Sequence, residues 1–132
     1  MKKKIKIEKK DMIEYLSVDS DMRSVTYRED KQSKYIREYV RSKAEYAIVA
    51  TFRRCGLNQR NINLQWNLFC KLIREGKVDG VVVANMAAIS SSLSDAYHKV
   101  GQIIEAGGIV VTVDEGKLFM NIQMTEVQAH EG

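Results

Sequence analysis

Between Gly76 and Gly116 the chain reads GKVDGVVVANMAAISSSLSDAYHKVGQIIEAGGIVVTVDEG, and this segment narrows the fold more than any other. VDGVVVANM is a nearly continuous valine run. A strand of that kind must be covered on both faces, which implies a mainly parallel sheet lying between helices. Ser90, Ser91 and Ser92 then offer hydroxyl N-caps. The spacing that follows predicts a helix burying Leu93, Ala96, Tyr97, Val100, Ile103 and Ile104. Gly107 and Gly108 stop that helix, and IVVTV is a second buried strand.

The rest of the chain extends the alternation. From Ser24, SVTY is a short strand candidate, and SKYIREYVRSKAEYA places Ile36, Tyr39, Val40, Lys43 and Ala47 at helical spacing. AIVATF suits a buried strand. RRCGLNQRN reads as a polar loop carrying Arg53, Arg54, Gly56 and Arg60. Leu64, Leu68 and Leu72 then form a stripe widened by Phe69 and Ile73, and Gly76 can close that helix. GKLFMNIQMTEVQAHE returns to helical spacing through Phe119, Ile122, Glu126 and Ala129. Strands alternating with helices across short loops give an α/β fold, three layers with a mainly parallel central sheet flanked by helices. There is no proline, no internal repeat and no low-complexity linker.

Composition bounds the function classes. At 132 residues the natural unit is one domain. The division read from the sequence is a basic N-terminal extension over 1–22 and the α/β domain over 23–132. Six Lys fall in the first ten positions, so the extension is either a solvated arm or short edge strand, or an arm whose Lys2, Lys3 and Lys4 contact DNA. No apolar run spans a bilayer and no signal-peptide core follows the basic start, so a cytoplasmic protein without a membrane partner is expected. Cys55 and Cys70 have no metal-ligand spacing and read as reduced thiols. His98 and His130 lack a partner at ligand spacing, and no glycine-rich phosphate loop is present. Neither a metal nor a cofactor is expected. The formal charge of +4 mildly favours an anionic partner.

The order of elements and the segment GKVDGVVV…ISSSLSDAYHKVGQIIEAGGIVVTVDEG resemble the serine recombinase (resolvase/invertase) catalytic domain, over residues 24–131. The resemblance implies a phosphoserine strand-exchange site. In that family the turn after the valine strand holds an Asp-Arg pair and a further Arg; here those places read Ala87, Ala88 and Ser91. The family's first strand runs into Tyr-x-Arg-x-Ser with a Gln four residues later. Anchoring on Gln32 places Thr26 at the Arg and Arg28 at the nucleophilic Ser. A further family Arg, opening the helix after a mobile loop, falls on Asn63. Ser24 and Ser33 bracket the expected site as substitutes for the nucleophile, or serve as a strand hydroxyl and a helix cap.

These departures bear on chemistry. Attack on phosphorus needs a hydroxyl and several guanidinium forks on the developing charge. Removing one such electrostatic stabiliser typically costs about 10²–10³ in rate. The reading that follows is a catalytically degenerate resolvase-type domain with an accessory, non-catalytic role in DNA recombination or a mobile element. The alternatives are an active recombinase with a displaced nucleophile, and an unrelated α/β oligomerisation domain. Arg53, Arg54 and Arg60 are candidate DNA contacts beside a solvated-loop reading, and Trp66 reads as packing. The resemblance makes the tail the start of a truncated dimerisation helix, with Leu118, Phe119 and Ile122 at the interface of a homodimer or of a heterodimer with a related recombinase.

Overall fold

The computed structural model describes residues 8–18 and 23–118. Five strands form one sheet in the order β2-β1-β3-β4-β5: β1 Lys10–Leu16, β2 Tyr46–Arg53, β3 Gly80–Val83, β4 Ile109–Thr112 and β5 Gly116–Leu118. The first four are parallel, and β5 turns back antiparallel to β4. Helix α1 (Val25–Ser42) covers one face of the sheet. Helices α2 (Gln59–Arg74) and α4 (Leu93–Glu105) cover the other, and a single turn of helix, α3 (Met86–Ile89), follows β3. This is the expected three-layer α/β architecture.

The first strand lies where the sequence reading put an arm or edge strand. β1 sits between β2 and β3, and every residue from Met12 to Leu16 is 0% exposed. Alternation divides it between the two cores. Met12 and Leu16 pack with Ile36 and Val40 of α1, while Ile13 and Tyr15 pack with Trp66 and Phe69 of α2. Tyr15 meets Trp66 and Phe69 edge-on, with ring centroids 5.4 and 5.8 Å away. What hides the strand in the sequence is Glu14, a charge in the middle of a sheet. Its carboxylate accepts from Ser33 Oγ and Thr51 Oγ1, both at 2.9 Å, and pairs with Arg37 at 3.3 Å. A buried carboxylate is tolerated when its lone pairs are filled in this way.

Several further expectations change. Ser24-Val25-Thr26-Tyr27 opens α1 rather than forming a strand. β2 runs on to Arg53, and α2 starts at Gln59 on the side chain of Asn58, so the loop between them shrinks to residues 54–58. On α2 the buried stripe is Ile62, Trp66, Phe69, Cys70 and Ile73. Leu64, two residues past Ile62 and so about 200° around the helix, is 54% exposed, and Leu68 is 40% exposed. On α4, Ala96, Val100 and Ile103 are buried as expected, but Leu93 and Tyr97 face outward. Lys99 takes a buried place instead, its Nζ 2.6 Å from Asp95 Oδ2. Finally, Leu118 belongs to β5 and packs against the core, so it does not stand on an exposed helical face; the register Val110↔Leu118 fixes it there.

β3 and β4 approach unusually closely at Gly80. A Cβ there would lie 2.1 Å from the Ile109 carbonyl oxygen, so only glycine fits this crossing of backbones.

Candidate functional site

From β1 the chain crosses to β2 on one side, and the later strands β3 and β4 build outward on the other. In an open parallel sheet that reversal leaves a crevice outside the carboxyl ends of the two strands at the switch. Here a cleft of about 420 Å³ opens there. Ser17 and Val18, just past β1, form its floor, and Asn85, Ala87 and Ala88, just past β3, form one wall. Arg28, Lys31 and Gln32 of α1 form the other.

Gln32 fixes the floor. Its Oε1 accepts from the Ser17 amide at 2.8 Å and its Nε2 donates to the Ser17 carbonyl at 2.9 Å. The chain leaving β1 is therefore pinned to α1 through both backbone groups of one buried residue. Arg54 holds the same stretch from β2: its amide donates to Leu16 O at 2.9 Å and its guanidinium to Val18 O at 3.3 Å.

The opposite rim is acidic. Asp114 and Glu115, in the turn between β4 and β5, reach over to the turn after β3. Asn85 Nδ2 donates to Asp114 Oδ2 at 3.1 Å, and the Met86 amide to Glu115 Oε1 at 3.0 Å. The Tyr35 hydroxyl of α1 closes the clasp on Asp114. Asn85 also caps α3 through the Ala88 amide. Two carboxylates thus occupy the Asn85 side-chain donor and the Met86 amide, and their negative charge disfavours an anion beside this turn.

Behind the floor lies a second polar group. Glu29, side chain 3% exposed, pairs with Arg53 at 2.9 Å, and Asp30 stands 3.7 Å from the same guanidinium. The Tyr15 hydroxyl is buried with no hydrogen-bond partner among the described residues. Burial pushes its pKa up to about 12, with the Arg54 charge pulling down and the Glu29 charge adding to the rise.

The residues singled out from sequence are only partly gathered here. Arg28, Ala87 and Ala88 line the cleft. Thr26 and Arg28 stand on α1, so aligning them with the end of the first strand is corrected: that strand ends at Leu16, nine residues before the helix begins at Val25. Ser91 is exposed between α3 and α4 and does not line the cleft. Asn63 lies one turn inside α2, in a separate polar groove of about 380 Å³ shared with Asp95, His98 and Lys99. There the Lys99 hydrogen bond holds the Asp95 carboxyl below its ordinary pKa. Ser33 is committed to Glu14, and Ser24 stands at the start of α1. Arg53 is engaged by two carboxylates at the end of β2, Arg54 turns inward, and Arg60 is exposed on α2, so the three form no single patch. Trp66 is core, 1% exposed, with its indole N–H donating to the Lys99 carbonyl at 2.9 Å. Lys2, Lys3, Lys4, Phe119, Ile122 and His130 fall outside the described residues. Ser17 and its clamp were missed, although the apolar run Met12-Ile13-Glu14-Tyr15-Leu16, broken only by Glu14 and followed by Ser17, is the local signal of a strand ending there.

By fold the chain is similar to a resolvase family site-specific recombinase from Streptococcus pneumoniae, with a TM-score of 0.70, 18% identity, and coverage of 92% of this chain and 85% of that one. The fold is that of a serine recombinase catalytic domain. The C-terminal catalytic domain of ISC1926 TnpA, an IS607-like serine recombinase, matches with a TM-score of 0.61 at 18% identity, over 89% of this chain and 77% of that one. The N-terminal catalytic domain of TP901-1 integrase matches with a TM-score of 0.56 at 18% identity, over 81% and 79%. No family model and no curated protein matches by sequence. Likeness at this level of identity concerns the serine recombinase fold and leaves the chemistry to the residues in the cleft. Among the described helices, none is long and apolar enough to cross a membrane.

Proposed function

We propose that this chain is a catalytically degenerate serine-recombinase-type domain with an accessory, non-catalytic role in DNA recombination, pairing with itself or with a related recombinase. One observation carries the reading. At the end of β3, where phosphate-gripping guanidiniums are expected, the wall is Ala87 and Ala88, and the turn is clasped by Asp114 and Glu115. With β1 as the first strand, the Tyr-x-Arg-x-Ser pattern realigns on Tyr15, Ser17 and Asp19. The Arg position then holds Ser17, and the nucleophile position a carboxylate residue. Arg28 and Lys31 supply charge from α1, but neither replaces a set of converging forks.

The competing reading, an active enzyme with a displaced nucleophile, rests on Ser17, a hydroxyl on the cleft floor with its backbone gripped by Gln32. Covalent trapping on a pool of centrally nicked duplexes decides between them. The accessory reading expects no protein–DNA adduct after denaturation. An adduct that persists in denaturant and disappears in Ser17→Ala would establish the active enzyme instead.

A further inference from the structure

At the other end of the sheet from the cleft, about 20 Å away along the seven residues of β1, a groove of about 330 Å³ lies against the C-terminal end of α1. Four cations line it: Lys9 ahead of β1, Arg37 and Arg41 of α1, and Lys43 at its C-cap. Among the described residues no Asp or Glu lines it. All four side chains belong to exposed residues. Among the described residues, Lys9, Arg41 and Lys43 form no ion pair, and only Arg37 is matched, with Glu14. Glu45, beside Tyr46, takes back part of the charge. The carbonyl end of α1 contributes roughly half an elementary negative charge, which accounts for one cation there and not for four.

We infer that this groove is a docking surface for the phosphate backbone of duplex DNA, separate from the cleft. The exposure of the cations selects the class of partner. A single small anion paired with an exposed Lys or Arg gains only about 0–1 kcal/mol, too little to hold it. A polyanion engages several cations at once and releases its condensed counterions. Duplex DNA, with one charge per about 1.7 Å of axis, presents phosphates densely enough to meet Lys9, Arg41 and Lys43 together. An anionic bilayer fits less well, because of the apolar lining Val40 and Tyr46 are buried and Ile48 half-buried, which leaves only the Ala44 methyl exposed and no large apolar side chain to insert. The inference rests on charge and position, and holds whether or not the cleft is catalytic.

The test is fluorescence anisotropy of a labelled 30-base-pair duplex across a salt series. It compares the wild type, Arg41→Ala/Lys43→Ala, and a charge-matched control, Lys71→Ala/Arg74→Ala, on α2 across the sheet. Each lost phosphate contact lowers the log–log salt slope by about 0.9. The groove variant should therefore lose about 1.8 from the slope and bind at least roughly tenfold more weakly at 50 mM salt, while the control stays within about twofold of wild type. A thermal melt checks that both variants fold, and Lys9→Gln/Lys43→Gln replaces the groove pair if they do not. Equal losses in both variants, no wild-type binding at 50 mM salt, or binding to phosphatidylserine vesicles without binding to the duplex would each overturn the inference. None of these outcomes reports on adduct formation, so the two proposals fail separately.

Discussion

Replacing Gln32 by Ala should loosen the floor of the cleft at a cost the geometry sets. The side chain supplies two hydrogen bonds, at 2.8 and 2.9 Å, to the amide and carbonyl of Ser17, a residue 6% exposed. Two neutral bonds contribute about 0.5–1.5 kcal/mol each, and a buried backbone group left without a partner costs about 1–3 kcal/mol. The expected loss is therefore about 2–4 kcal/mol, a large share of the roughly 5–15 kcal/mol that holds a domain folded. Trp66, the single tryptophan and 1% exposed, reports unfolding in a guanidinium titration. The midpoint should fall at unchanged slope, and the melting temperature by roughly 10 °C at about 4 °C per kcal/mol. Gln32→Glu separates the two bonds. Its carboxylate still accepts from the Ser17 amide but faces the carbonyl with a lone pair, so it should be at least as unstable at pH 7 and recover on acidification, when the carboxyl can donate. A loss below about 0.5 kcal/mol in Gln32→Ala, with unchanged amide exchange at residues 16–18, would mean that the Arg54 contacts hold the floor and that the clamp is incidental.

Gly80→Ala should be severe. Its Cβ would sit 2.1 Å from the Ile109 oxygen and 2.7 Å from Ile109 Cγ1, and relief requires β3 and β4 to part. Overpacking against atoms that can move costs about 1–3 kcal/mol, so at least about 3 kcal/mol is expected against a backbone atom, measured by the same titration. Tyr15 gives a pH dependence. Its folded pKa, raised from 10.0 to about 12, means that the contribution is complete below pH 10 and is lost as pH rises toward 12. Tyr15→Phe should remove one share of that alkaline loss, leaving the share of Tyr46, which burial also pushes up to about 12, and, because the Tyr15 hydroxyl has no partner among the described residues, should leave stability at pH 7 unchanged or higher. A titration of tyrosinate absorbance and stability across that range checks both.

The layers of this fold were legible because their signals are local. A valine run covered on both faces, serine hydroxyls ahead of a helix and glycines behind it each act within a few residues, and β3, α4 and β4 came out in order from those signals alone. The first strand was not legible, because its acceptability depends on distant partners. Glu14 can lie in the centre of a sheet only once Ser33, Arg37 and Thr51 converge on it, 19, 23 and 37 residues further along. The helical stripes were read with the right period but too wide: Phe69, Ile73, Ala96, Val100 and Ile103 turn inward as expected, while the flanking Leu64, Leu68, Leu93 and Tyr97 turn outward. Leu64–Leu68 and Leu93–Tyr97 are as apolar as their buried neighbours, and only packing on the sheet decided which face turned inward.

The candidate site divides in the same way. The absence of Arg from the turn after β3 is a property of the sequence, fixed by Ala87, Ala88 and Ser91 between elements that can be aligned. Which residues stand in their place is a property of the tertiary structure. The clamp of Gln32 on Ser17, the reach of Asp114 and Glu115 across to Asn85 and Met86, and the meeting of Lys9 with Arg41 and Lys43 join segments from about 15 to more than 30 residues apart. A parallel sheet makes such meetings inevitable, since each crossover returns the chain to the same edge. Local propensity carries no record of which side chains will share that edge.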